Sequence, residues 1–214
     1  MTLDVRKELL SRRGSLLTLL SGLGVLVIPG PVRAGNQQEE FLVDSVRTAL
    51  SSAIANSAPP VPEFSDTESR LRYLRWLGVM SDRLRTKKPD WTTRIEFLQT
   101  IWYESRRAGL EPALVLGLVQ VESNFRKFAI SSVGARGYMQ IMPFWVRVIG
   151  DGEVRKLFRM QTNLRFGCVI LRHYLDRERG DLFMALGRYN GSRGKSPYPN
   201  AVMGAKRRWD FDTR

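Results

Sequence analysis

Residues 112–143 read PALVLGLVQVESNFRKFAISSVGARGYMQIMP, and their reading decides the fold. Residues 113–121 are apolar at nearly every position, which is too apolar for a helix with one wet face and predicts a central helix packed on all sides. Glu122 stands where that run ends. A carboxyl there is expected to be half buried. Desolvation disfavours its charged form and raises its pKa, so that it stays protonated near neutral pH and can donate to a leaving group. From position alone, a helix-end glutamate exposed to water accounts for Glu122 as well. Beyond it, Gly134, Gly137 and several small residues imply a turn-rich loop that returns to a new helix.

Outward from this stretch the helical period dominates. Leu71, Leu74, Leu77 and Val79 begin one amphipathic segment, and Trp91, Ile95, Leu98 and Trp102 form a stripe in another, with Asp90 as its N-cap and Gly109 as its stop. Leu164, Cys168, Leu171 and Leu175 give a third, and Leu182, Ala185, Leu186 and Tyr189 a fourth. Residues 198–214 read as a final helix with Val202 and Trp209 as packing residues and an end free to fray. Alternating strand patterns are nearly absent, so the predicted class is mainly α. At the front, residues 39–54 predict a polar-faced helix, and residues 56–65, with three prolines, a linker.

The whole chain has 214 residues, with 34 Lys plus Arg against 21 Asp plus Glu and 43% hydrophobic residues. That composition describes a soluble, folded, basic protein and excludes disordered, collagen-like and disulfide-built classes. Residues 1–34 have the form of a secretory signal: a basic start (Arg6, Lys7, Arg12, Arg13), an apolar run at 15–28, and Val32-Arg33-Ala34 as a cleavage site. The Arg12-Arg13 pair is one mark of the twin-arginine export route, but the bulky residue two positions after it is absent. An uncleaved anchor is the alternative, and the run is shorter than the roughly 18 residues of a membrane-spanning helix. Cleavage after Ala34 leaves 29 basic against 19 acidic residues, a net charge of +10 and no membrane span. Cys168, the sole cysteine, cannot form an intramolecular disulfide and reads as a small buried hydrophobe. His173, the sole histidine, has no cysteine or histidine at ligand spacing, so no metal site is expected.

Three motifs occur in order: Glu122-Ser123, then Ser131-Ser132-Val133-Gly134-Ala135-Arg136-Gly137-Tyr138-Met139-Gln140-Ile141-Met142-Pro143, then Arg188-Tyr189-Asn190-Gly191. Over residues 112–209 the chain resembles the lytic transglycosylase family of the soluble type, the SLT domain of the lysozyme-like superfamily. Its glycan-cleaving domain carries a Glu-Ser pair, a Ser-x-x-Gly-Ala-x-Gly-Leu-Met-Gln-x-Met-Pro run and a later Ala-Tyr-Asn. Two positions depart from it: Tyr138 replaces a leucine and Arg188 an alanine. Neither removes a group the chemistry requires; they are expected to alter the groove, Tyr138 by adding an aromatic surface and Arg188 a charge.

The resemblance implies a lysozyme-like helical catalytic domain over residues 66–214, with residues 35–65 as an N-terminal appendage. It implies cleavage of the β-1,4 bond between N-acetylmuramic acid and N-acetylglucosamine in peptidoglycan, closing a 1,6-anhydro sugar without consuming water. Glu122 matches the single catalytic glutamate, first general acid and then general base. A second carboxylate is unnecessary when the substrate's own N-acetyl group attacks the anomeric carbon. Metal and organic cofactors are likewise not needed. Ser131 matches the serine that bonds the N-acetyl region, and Gln140 the glutamine that lines the groove. Tyr189 and Asn190 match the pair that closes it and positions the acid. Ser123 supports the helix end, Met139 is groove wall or core, and Tyr138 is a further supporting residue. Plainer roles stand beside these: Ser131 as a turn residue, Gln140 as a helix N-terminal polar residue, Tyr189 as a core aromatic and Asn190 as a C-cap.

Residues 155–214 hold 14 Lys plus Arg against 5 Asp plus Glu, a net of +9. Such a face attracts polyanions at low salt, and the carboxylates of wall peptides suffice as partners. Nothing resembles a sequence-reading nucleic-acid motif, so no specific nucleic acid is expected. The expected location is the periplasm, in wall turnover or with a secretion or conjugation machine. A hydrolytic goose-type muramidase and a non-catalytic wall-binding scaffold remain the rival readings.

Overall fold

The computed structural model describes residues 37–55 and 62–211. The expected signal at 1–34, most of the proline-rich linker and the last three residues lie outside them. Eight α-helices follow one another in the described residues: α1 (Asp44–Ala55), α2 (Thr67–Leu84), α3 (Trp91–Arg107), α4 (Pro112–Ser123), α5 (Pro143–Ile149), α6 (Met160–Arg177), α7 (Leu182–Tyr189) and α8 (Pro197–Lys206). A 3-10 turn at Val154–Phe158 precedes α6. Sheet structure among these residues is confined to two isolated bridges, Ile130 to Arg136 and Arg136 to Ile141. The mainly α class expected from periodicity is what the structure has.

The apolar run makes α4 the central helix, as its composition predicted. Every residue from Ala113 to Val119 is buried. The most extensive contact of α4 is with α8, and it also packs on α3. Gly117 makes that contact close: a Cβ there would lie 2.6 Å from the Lys206 nitrogen and 2.9 Å from its Cα. A glycine in mid-helix is costly by propensity, and here its missing side chain lets two backbones approach. The second layer is α6, which packs against α7, α3 and α1. Cys168 is buried in it, and burial pushes its thiol well above the ordinary range.

The stripe expected on α2 is misphased, while that on α3 holds at Leu98 and Trp102 and fails at Trp91. Leu71, Leu74 and Val79 are exposed, and the buried face of α2 is Tyr73, Trp76, Met80, Ser81 and Leu84. Trp91 is likewise exposed, and α3 turns Arg94, Phe97, Leu98, Ile101 and Glu104 inward. Aromatic stacking explains the shift on α2, since Tyr73, Trp76 and Trp102 pack with centroids 4.8–6.2 Å apart. On α3, buried charge joins the apolar face. Glu104 pairs with Arg165 at 2.9 Å and Arg107 at 3.4 Å, and Arg94 donates to Ser81 Oγ and the Lys88 carbonyl. Asp90 caps α3 through the Thr93 amide, and Gly109 takes φ 64° just past its end, both as expected. The first helix starts at Asp44 rather than Glu39, and the last spans Pro197–Lys206 before a turn through Trp209.

Candidate active site

Glu122 is the penultimate residue of α4 and is 6% exposed, so the buried reading of its position holds. The helix is stopped sharply by two successive left-handed residues, Asn124 (φ 48°) and Phe125 (φ 65°). Asparagine tolerates that conformation, whereas a phenylalanine in it must be held. Phe125 is held between Phe97 and Trp209, with ring centroids at 6.0 and 5.3 Å. The stop turns the chain into the loop at 124–142 directly after the acid.

That loop is closed on itself by backbone hydrogen bonds. Arg136 and Ile141 exchange a pair at 3.0 and 2.9 Å, and the Gly137 amide donates to the Ala129 carbonyl at 2.9 Å. Gly137 has φ 77°, and a Cβ there would meet the Asn163 side chain at 2.3 Å and the Leu157 carbonyl at 2.7 Å, so only glycine fits. Asn163, on α6, is the loop's inner anchor: its Oδ1 accepts from the Met139 amide, and its Nδ2 donates to the Arg136 and Leu157 carbonyls, at 2.8–2.9 Å. Gln140 is 2% exposed with φ 49°, and its Nε2 donates to the Ala129 and Gly137 carbonyls. Ser131 Oγ accepts from the Ala135 amide at 3.1 Å, which is the turn role anticipated as its plainer reading.

Two contacts tie this loop to the end of α4 and to the third motif, and a third ties the acid to α8. Ser123 Oγ donates to the Tyr138 carbonyl at 2.7 Å, joining the end of α4 to the loop. Tyr189 Oη donates to the Met139 carbonyl at 2.8 Å, joining α7 to it. Tyr198 Oη donates to Glu122 Oε1. Tyr198 on α8 is thus bonded to the acid, and Tyr189 holds the loop. Both phenols are buried, and burial followed by the Glu122 charge keeps both well above the ordinary tyrosine range. Asn190 ends α7 as its C-cap, is 6% exposed and donates to Ser192 Oγ at 3.1 Å, while its Oδ1 has no protein partner.

Both departures from the family pattern are held by charged neighbours. Tyr138 is 1% exposed and points inward, accepting from Lys88 Nζ at 2.7 Å beside Phe97. Lys88 Nζ also lies 4.5 Å from the Tyr138 ring centroid and 4.8 Å from that of Phe97. The larger side chain fills the core and gives a buried lysine an oxygen to bond. Arg188 is spent on Glu40, at 2.9 Å, and on Glu178. Tyr198 and Asn163 escaped the sequence reading. Tyr198 stands in Ser196-Pro197-Tyr198-Pro199, a helix start whose prolines gave a local signal, but nothing there pointed to Glu122. A surface hollow of about 520 Å³, lined by Ile54, Ile149, Lys156 and Arg165 among others, holds none of these residues.

Residues 99–210 match the family described as the transglycosylase SLT domain. The chain belongs to that family, as its motifs indicated. Among its relatives, the transglycosylase of Enterobacteria phage PRD1 is 34% identical over 116 residues, covering 51% of this chain and 42% of the phage protein. The membrane-bound lytic murein transglycosylase C of Mannheimia succiniciproducens is 42% identical over 48 residues, 22% of this chain and 13% of that protein. The chain thus spans less than half the length of these curated relatives. A solved inactive mutant of lytic transglycosylase Slt from Pseudomonas aeruginosa is 22% identical over 84% of this chain and 33% of that one, with a TM-score of 0.43. No helix among the described residues is long and apolar enough to cross a membrane.

Proposed function

We propose that the chain is a peptidoglycan lytic transglycosylase that cuts the bond from N-acetylmuramic acid to N-acetylglucosamine and leaves 1,6-anhydro ends. The observation that carries this reading is the buried Glu122 carboxyl with the Tyr198 hydroxyl donating to it, at the point where the three motifs meet. Glu122 donates its proton to the glycosidic oxygen as the C1–O bond breaks, and the substrate's N-acetyl oxygen attacks C1 and carries the positive charge. The carboxylate then takes the proton of the muramic 6-hydroxyl. That oxygen attacks C1, the N-acetyl oxygen leaves, and Glu122 is protonated again. One acid serves both steps, and neither Asp151 nor Glu153 is required; both are exposed, and Asp151 is paired with Lys156. Tyr198 orients the acid. Asn190 caps α7 and donates to Ser192 Oγ, and Gln140 and Ser131 shape the loop that follows the acid.

The murein transglycosylase among the relatives supports the substrate class. In this reading residues 1–34 are an export signal removed after Ala34, residues 35–65 precede the catalytic domain at 66–214, and the enzyme works in the periplasm. There it serves wall turnover or opens gaps for a secretion or conjugation machine, and its basic face retains it at the acidic wall. The test is mass analysis of the muropeptides released from purified sacculi, with Glu122→Gln as control. Products one water lighter than muramidase products, absent with Glu122→Gln, are expected. Full-mass reducing ends would assign a goose-type muramidase instead, and binding without products from either protein would assign a scaffold.

A further inference from the structure

Residues 37–55 lie outside the three motifs, yet the front of this segment is fastened to chain that carries the second and third, and its back to α3 and α6. At the front, Gln37 is 4% exposed and its Oε1 accepts from the Met142 amide at 3.3 Å. Its Nε2 makes no hydrogen bond of normal geometry, although its amide acts on the Tyr189 phenol. Glu40 pairs with Arg188 at 2.9 Å and with Arg177, and Leu42 is buried in the core. At the back, Arg107 and Arg165 donate to the Ala53 and Ile54 carbonyls in the last turn of α1. Both guanidiniums are anchored on the buried Glu104, and cations at a helix C-terminus complement its dipole. Val46, Leu50 and Ile54 pack against the core in between.

The two front contacts fall on the chain beside the acid. Met142 is three residues past Met139, whose carbonyl Tyr189 holds, and Arg188 immediately precedes Tyr189. Arg188 is also the position where the family carries alanine, and its partner Glu40 comes from this segment. We propose that Gln37 and Glu40 are positioning residues for the reaction: through Met142 and Arg188 they hold residues 139–142 and 188–190 in place beside Glu122. The proposal rests on the transglycosylase reading above.

The test uses the full chain with soluble, uncross-linked glycan strands, at a temperature where every variant is folded, with hydrogen exchange of the Met142 amide followed in the same samples. Gln37→Ala is expected to lower kcat by about threefold to tenfold, with KM within about twofold, and to speed Met142 exchange. Glu40→Gln should lower kcat in the native background and have no further effect in Arg188→Ala. Asp44→Ala, at the exposed start of α1, should change neither readout. A folded Gln37→Ala with native kcat, or with native Met142 exchange, would overturn the proposal. A wild-type chain that fails to cleave would instead defeat the functional reading, and Met142 exchange alone would then decide whether Gln37 holds the loop.

Discussion

Substituting Tyr198→Phe removes a single oxygen, the one that donates to Glu122 Oε1. The ring is 2% exposed and stays in the core, so the cavity created is that of one atom and the fold should survive. A hydrogen bond to an ionised carboxylate contributes about 1.5–3 kcal/mol, and that bond is strongest in the step where Glu122 has given up its proton. At 1.36 kcal/mol per factor of ten, kcat should fall about 10- to 100-fold. KM should hold within about twofold, because the lost hydroxyl faces the acid from within the core. The assay is the rate of anhydro-product release from sacculi, with circular dichroism to establish that the variant is folded. A folded Tyr198→Phe with native kcat would refute the argument that α8 orients the acid.

Two further predictions concern the frame around the site. Gly117→Ala would drive a Cβ to 2.6 Å from the Lys206 nitrogen, backbone against backbone, and should destabilise the fold by about 3 kcal/mol; an unchanged urea midpoint would mean that α4 and α8 are not packed so closely. Lys88 is held down to about 8, by burial first and the Lys127 charge second, so its charged form is disfavoured in the fold below pH 8. The unfolded chain binds that proton up to about pH 10.5, so wild-type stability should rise relative to Lys88→Met as pH climbs from 8 to 10.5, by about 1–3 kcal/mol; parallel pH–stability curves would refute it.

What could be read from the sequence, and what could not, divides by how far a side chain's partner lies along the chain. The central helix is readable because residues 113–121 are apolar at every position but Gln120, which leaves no wet face for most of its length. The phase of α2 is not, because ranking aliphatic residues first hides a face built from Tyr73 and Trp76, and the buried charges of α3, Arg94 and Glu104, are hidden in the same way. Glu104 enters the core only because Arg165 arrives from α6, 61 residues later. The same distance rule governs the site. Glu122, Gln140 and Tyr189 are marked by local motifs, while Tyr198 reaches Glu122 across 76 residues. Tyr138 shows the converse: its departure from the family pattern is plain in the sequence, but its direction is set by Lys88 and Phe97, which no local motif contains.

The bond between Tyr198 and Glu122 also bears on when the proposed site is assembled. The acid is made early and its orienting neighbour late, and the helix that makes the most extensive contact with α4 is the last helix described. A ribosome that has passed residue 143 has written two of the three motifs, yet the emerging segment still has a bare apolar flank and an unoriented carboxyl. In the reading proposed above, Glu122 is therefore fully oriented only when α8 docks, and a chain that ends before Tyr198 lacks the hydroxyl that donates to it.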